Sequence, residues 1–192
     1  ALTCQGLSDK STQGDKKIFD ILKNFGAITS HTKHAFTVQQ SGESKAFQEN
    51  PQPSRKKNKI HREIDVREIP DLVPILSVIA SVSPGTTRII GASRLRIKES
   101  DRLKTVTNMI TNLGGKITEG EDYIVIEGIP SLKGGTVDCA NDHRIAMAGA
   151  IASCASQGPV ILKGADAVNK SYPGFFKDFK KTGGLFHVIN NR

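Results

Sequence analysis

The stretch Ile64-Asp65-Val66-Arg67-Glu68-Ile69-Pro70-Asp71-Leu72-Val73-Pro74-Ile75-Leu76-Ser77-Val78-Ile79-Ala80, running on to Gly85, decides the fold because the chain uses its plan twice. It opens on a strand-like run, crosses a polar turn and enters an apolar helix. Val137-Asp138-Cys139 repeats the plan as far as Gly158, and in both copies the Asp and the closing Gly stand twenty positions apart. After its Gly each copy becomes β-rich, as Thr86-Thr87-Arg88-Ile89-Ile90-Gly91 and as Pro159-Val160-Ile161-Leu162-Lys163-Gly164. The helices expected over Leu72 to Val82 and Ile145 to Ala155 are apolar almost all round, as a helix buried on every side is.

A second pattern occurs three times. A helix of mixed character ends in Gly and leads into an extended segment, from Lys17 to Gly26, Leu103 to Gly114 and Phe175 to Gly183. Gly there suits the left-handed cap of a helix end. The first copy places Ile18, Ile21 and Leu22 on one face and Lys16, Lys17 and Lys23 elsewhere, which describes a surface helix. Glu121-Asp122 reads as a turn into the strand Tyr123 to Glu127. The chain is therefore expected to be an α/β domain of repeated units, each with strands, one buried helix and one outer helix. The first unit lacks its buried helix ahead of Gly6, as though the chain had been cut there.

The 192 residues suffice for a domain with a real core, and 37% apolar with 24% charged residues is ordinary for a globular protein. No apolar run approaches the roughly 20 residues that span a bilayer. The start of the chain lacks the basic and apolar regions of a signal peptide. Cys4, Cys139 and Cys154 form no CxxC pair, so a reduced, cytoplasmic setting is expected. Part of the net charge of +8 lies in Arg55-Lys56-Lys57-Asn58-Lys59, within the Pro- and Gln-containing stretch from Gln48 to His61. That stretch is expected to be a mobile, solvated loop. A nucleic-acid patch is the alternative, but no aromatic residue interleaves there to stack on bases.

Charge gathers after strands and at helix starts in Ile69-Pro70-Asp71, in Arg94-Leu95-Arg96-Ile97-Lys98-Glu99-Ser100-Asp101-Arg102, in Asn141-Asp142-His143-Arg144, and in Asn169-Lys170-Ser171-Tyr172-Pro173. In the repeat register Asp71 and Arg144 are equivalent, so each begins a buried helix. A helix N-terminus favours anions, and Arg placed there grips phosphate or carboxylate in bidentate fashion. Plainer roles exist for each residue. Asp71 and Asp142 suit N-caps, and Lys98 and Arg102 suit surface ion pairs. His31 and His34 have HxxH spacing without a third ligand, so no metal site is expected. No glycine-rich stretch matches a phosphate-binding or dinucleotide loop.

Taken together, Lys98-Glu99-Ser100-Asp101-Arg102-Leu103, Asp142-His143-Arg144-Ile145-Ala146-Met147-Ala148 and Lys170-Ser171-Tyr172-Pro173 resemble the C-terminal signatures of the 5-enolpyruvylshikimate-3-phosphate synthase family. Ile69-Pro70-Asp71 and Gln13-Gly14-Asp15 fit the same order. The resemblance covers essentially the whole chain, 1–192, as one C-terminal domain of βαβαββ units around buried helices, an inside-out α/β barrel. It implies transfer of the enolpyruvyl group of phosphoenolpyruvate to the 5-hydroxyl of shikimate 3-phosphate, with no cofactor and no metal. It implies that Asp71 holds the shikimate ring and acts as base, and that Glu99 is the acid toward the methylene carbon. It assigns Lys98 to shikimate 3-phosphate, and Arg102, Arg144 and Lys170 to phosphoenolpyruvate. Arg94 stands where some members place an Asn that contacts shikimate 3-phosphate.

The family's N-terminal motifs are absent: a Lys-Ser segment with its Arg, a Gly-Asn-Ala-Gly-Thr loop and a Ser-Ala-Gln segment. The other wall of the site is thus expected from an N-terminal domain outside this chain. Alone the chain is expected to be inactive, and the intact enzyme monomeric. No nucleic acid or membrane partner is expected. Two alternatives remain open, a domain like that of UDP-N-acetylglucosamine enolpyruvyl transferase and a non-catalytic basic binding module.

Overall fold

The repeated plan folds as a repeated unit. In a computed structural model that describes residues 1–40 and 61–189, β4 (His61–Asp65) and β5 (Thr86–Ile90) run parallel, joined through α2 (Val73–Ser81). From β5 the chain passes to α3 (Arg102–Asn112), then to the antiparallel hairpin β6 (Lys116–Glu119) and β7 (Tyr123–Glu127). β7 inserts beside β5, giving the strand order β4-β5-β7-β6. This is one complete βαβαββ unit.

The same plan recurs on either side. β1 (Leu2–Gln5), α1 (Ile18–Asn24), β2 (Ala27–His31) and β3 (Ala35–Gln40) pair in the order β1-β3-β2, which reproduces β5-β7-β6. β8 (Gly135–Asp138) and β9 (Val160–Lys163) are parallel strands around α4 (His143–Ser153), and α5 (Phe175–Lys181) follows. Parallel pairing needs a crossover connection, so α2 and α4 are forced to pack against their sheets.

Those two helices meet in the centre. Val73 and Leu76 of α2, Ile145, Ala148 and Ala152 of α4, and Leu103, Val106 and Ile110 of α3 share one core with Ile89, Ile124 and Ile126 of the sheet. Each large side chain sealed there contributes about 1.5–3 kcal/mol over leaving it in water. Ser77 and Ser81 are buried on α2 without penalty, since their hydroxyls donate to the carbonyls of Val73 and Val78 at 2.8 Å. Small residues let α4 lie close to β9: a Cβ on Gly149 would come 2.7 Å from Leu162 Cδ2. A smaller cluster of Cys139, Ala146 and Val168 packs with Met147, Phe175 and Phe176 behind the start of α4.

The helix limits shift by two residues at most. α4 starts at His143 rather than Ile145 because the Asp142 carboxylate accepts the Arg144 backbone N–H at 2.9 Å and caps the helix. It is also open on one side, where Ile151 reaches solvent. α2 is preceded by a 3-10 turn, Pro70–Leu72, so the polar turn joins the helix directly. Gly26, Gly114 and Gly183 end the three outer helices in the left-handed conformation, with φ of +88°, +82° and +101°. The stretch 48–61 expected to be a mobile loop lies outside the described residues except for His61, which already begins β4.

Candidate active site

The four charged segments read as candidate site elements each follow a strand of a parallel pair. Asp71 comes after β4, Lys98 to Arg102 after β5, Asp142 to Arg144 after β8 and Lys170 after β9. Because these four strands are the parallel pairs of two repeats, their following loops gather at the ends where α/β sheets bind ligands.

Arg102, the first residue of α3, lies at the centre, and its side chain is 0% exposed. A buried guanidinium needs partners on every nitrogen. Nε donates to Asp142 Oδ2 at 2.8 Å and Nη2 to Asp142 Oδ1 at 3.3 Å, a side-on bidentate pair with a carboxylate that is itself 0% exposed. Nη1 donates to Asp71 Oδ1 at 2.8 Å, and Nη2 also donates to Glu99 Oε2. Asp142 further accepts the Ser100 hydroxyl at 3.1 Å, so one carboxylate ties the start of α3 to the start of α4.

Asp71 is the second hub. It faces Lys98 Nζ at 3.2 Å on Oδ1 and Arg144 Nη2 at 2.9 Å on Oδ2, besides Arg102. Arg144 also donates through Nη1 to the Asp71 carbonyl at 3.3 Å. Burial pushes the Asp71 carboxyl up, but the charges of Arg144, Lys98 and Arg102 outweigh it and hold the group below the usual carboxylate value. Asp142 is likewise lowered, because the bond and charge of Arg102 with the Arg144 N–H and Ser100 overcome its burial. For Arg102 burial opposes the charge, and Asp142, Glu99 and Asp71 more than restore it.

These shifts set an acid limit. Both folded-state values lie below the ordinary 3.8, so the stability they contribute is present above that value and is lost as pH falls through the depressed ones. Urea midpoints measured from pH 6 downward are expected to drop below about pH 4, and the Asp71→Asn protein is expected to show a shallower drop. Equal slopes in both would mean that Asp71 does not bind its cations differentially.

The site thus brings together Asp71, Lys98, Glu99, Arg102 and Arg144 of the residues expected from sequence. Lys170 stands beside them, its ammonium 2.7 Å from the carbonyl of Asn141 just ahead of the α4 cap. Ala140 and Asn141 take left-handed φ of 49° and 54° there, which turns that carbonyl toward Lys170. Arg94 is not drawn into the cluster; it is exposed and, among the described residues, its side chain reaches the Arg67 carbonyl at 3.5 Å.

Three residues had been given no site role. Asp142 looked like a cap and is also the buried partner of Arg102. Ser100 joins it. Arg96 secures the segment from outside, donating to Asp101 Oδ2 and Glu119 Oε1 at 3.0 Å and to the carbonyls of Gly120 and Glu121 at 2.8 and 3.0 Å. No local pattern reveals the pairings of Asp142 with Arg102 and Ser100 or of Arg96 with Glu119, because they join residues 23 to 42 positions apart.

The sequence matches the model of the family described as EPSP synthase (3-phosphoshikimate 1-carboxyvinyltransferase) over residues 1–179. A 3-phosphoshikimate 1-carboxyvinyltransferase of Clostridium kluyveri is 44% identical over 183 residues, which are 95% of this chain and 39% of that protein. One of Clostridium novyi is 49% identical over 176 residues, covering 91% and 37%. The solved EPSP synthase of Acinetobacter baumannii superposes with a TM-score of 0.75 at 25% identity, over 98% of this chain and 43% of that one. The chain spans about two fifths of the length of the curated relatives it matches.

Proposed function

Because the chain belongs to the EPSP synthase family, we propose that it supplies one wall of a site that moves the enolpyruvyl group of phosphoenolpyruvate onto the 5-hydroxyl of shikimate 3-phosphate and releases phosphate. The observation that supports this best is the convergence of Lys98, Arg102 and Arg144 on Asp71, with Glu99 beside them. Two phosphorylated substrates need several fixed cations, and addition across the carbon–carbon double bond of an enol phosphate needs a base and an acid already in place.

In this reading Asp71 holds the shikimate hydroxyls and takes the proton of the 5-hydroxyl, while Glu99 delivers one to the methylene carbon. Lys98 and the rim residue Arg94 contact shikimate 3-phosphate. Arg102, Arg144 and Lys170 hold phosphoenolpyruvate. Further cations come from residues outside this chain, so these residues alone do not turn over substrate. The reading carries with it a monomeric, cytoplasmic enzyme. Among the described residues no helix is long and apolar enough to cross a membrane.

The test is a pair of binding measurements on the full-length protein. Arg144→Ala is expected to weaken phosphoenolpyruvate by roughly ten- to a hundredfold, the value of a charge-assisted hydrogen bond, and shikimate 3-phosphate far less. Unchanged phosphoenolpyruvate affinity would make Arg144 a structural partner of Asp71. Preference for UDP-N-acetylglucosamine over shikimate 3-phosphate would replace the acceptor in this reading.

A further inference from the structure

The guanidinium of Arg102 offers two edges to carboxylates, and the protein closes them in different ways. Asp142 takes the side edge, Nε with Nη2, as a matched pair, and neither partner is exposed. The end edge, Nη1 with Nη2, is closed by two separate residues, each making one bond, Asp71 on Nη1 and Glu99 on Nη2. Both lie toward solvent, with side chains 30% and 40% exposed. A carboxylate arriving from solvent along this edge can take over either nitrogen in the planar geometry that guanidinium favours, one of its oxygens replacing one internal oxygen. The end edge therefore already has the shape of a carboxylate site, filled from within.

Of the two residues that fill it, Glu99 is held more loosely. Among the described residues its one ion pair is with Arg102, whereas Asp71 is gripped by Lys98, Arg102 and Arg144. Glu99 also lies in the non-helical stretch between the 3-10 turn Ser93–Ile97 and α3, where a side chain can swing without disturbing a helix. Charge points the same way. Lys98, Arg102 and Arg144 face Asp71, Glu99 and Asp142, three against three, so an arriving anion meets a cluster that is already balanced. It finds Lys170, which rests on a carbonyl, but it gains Arg102 only by displacing an internal anion.

We infer that Glu99 is an internal stand-in for the substrate carboxylate, displaced from the end edge of Arg102 when phosphoenolpyruvate binds. The inference rests on the proposed function for its ligand. Displacement does two things at once. It frees Nη2 of the buried Arg102 for one oxygen of the substrate carboxylate while Asp71 keeps Nη1, and it leaves Glu99 beside the bound molecule with no guanidinium holding its carboxylate. Its use as a proton donor is thereby tied to occupancy of the site.

The experiment measures phosphoenolpyruvate affinity of the full-length protein in the presence of shikimate 3-phosphate, with inorganic phosphate as the probe that lacks a carboxylate. Removing an internal competitor strengthens binding. Glu99→Ala and Glu99→Gln are expected to lower the Kd for phosphoenolpyruvate about two- to fivefold, the scale of a partly exposed ion pair, and to leave the Kd for phosphate unchanged. Two variants are used because Ala removes the carboxylate and Gln keeps its shape. Unchanged or weaker phosphoenolpyruvate binding in both, with the unsubstituted protein binding normally, overturns the exchange and leaves the proposed function standing. Equal tightening of phosphate and phosphoenolpyruvate overturns it too, since that is a general gain of positive potential. No phosphoenolpyruvate binding by the unsubstituted protein overturns both readings.

Discussion

Glu99→Gln in the full-length protein is expected to lower turnover by roughly a hundred- to ten-thousandfold, the range assigned to a positioned general acid. Gln keeps the length and hydrogen-bonding shape of Glu but has no proton to transfer. The loss should therefore appear in kcat, without weaker binding of either substrate, which marks a group needed in the transition state and not in the ground state. Steady-state rates with both substrates saturating, set beside the binding constants, provide the measurement. Turnover within about threefold of the unsubstituted protein would remove Glu99 from the chemistry. The side chain is 40% exposed, so a folding defect is not expected to obscure the result.

The largest effect on stability is expected at Asp142. Asp142→Ala leaves the Arg102 guanidinium buried with its side edge empty, and breaking one partner of a buried ion pair costs about 3–5 kcal/mol. The same change removes the cap of α4, worth about 1 kcal/mol more. Urea unfolding of the substituted protein should show this as a lower midpoint with an unchanged slope. Asp142→Asn keeps the cap and loses the charge, so its midpoint should fall between the two. A loss below about 1 kcal/mol for the Ala variant would show that Glu99 or water closes the edge, and that Arg102 is less sealed than its 0% exposure implies.

The parts of the fold that were legible in the sequence are those that depend on short-range periodicity. An all-round apolar helix such as α2 has one place to go, and its twin around α4 made the repeat visible. The Gly residues after the outer helices gave their ends, because the left-handed turn favours a residue without a Cβ. Helix starts were less legible. α4 begins two residues early because of one side-chain bond from Asp142, and nothing in the periodicity encodes that bond.

The site shows the same division. Asp71, Lys98, Glu99, Arg102 and Arg144 stood out as charge at strand ends, and the family resemblance gave them roles. Their mutual arrangement was not legible. A basic residue four positions after Lys98, at the start of an amphipathic helix, reads as exposed, and Arg102 is buried only because Asp142 arrives from forty residues away. Arg94 shows the converse, a residue in the right motif whose side chain turns to the Arg67 carbonyl instead.

The cluster behind the start of α4 has a practical side. Cys139 lies three residues before Asp142, is fully buried against Ala146 and Val168, and its thiol is pushed up to about 12 by burial and by the nearby Asp138, Asp166 and Asp142. Cys4 and Cys154 are exposed. A thiol at that value is almost never in its reactive form, so an alkylating reagent modifies the two surface cysteines first and reaches Cys139 only when the ground beneath the site opens. The rate of that last modification follows the opening equilibrium of the segment that carries Asp142 and Arg144. The chain thus contains a chemical timer, wound by its own packing, for how often the charged cluster comes apart.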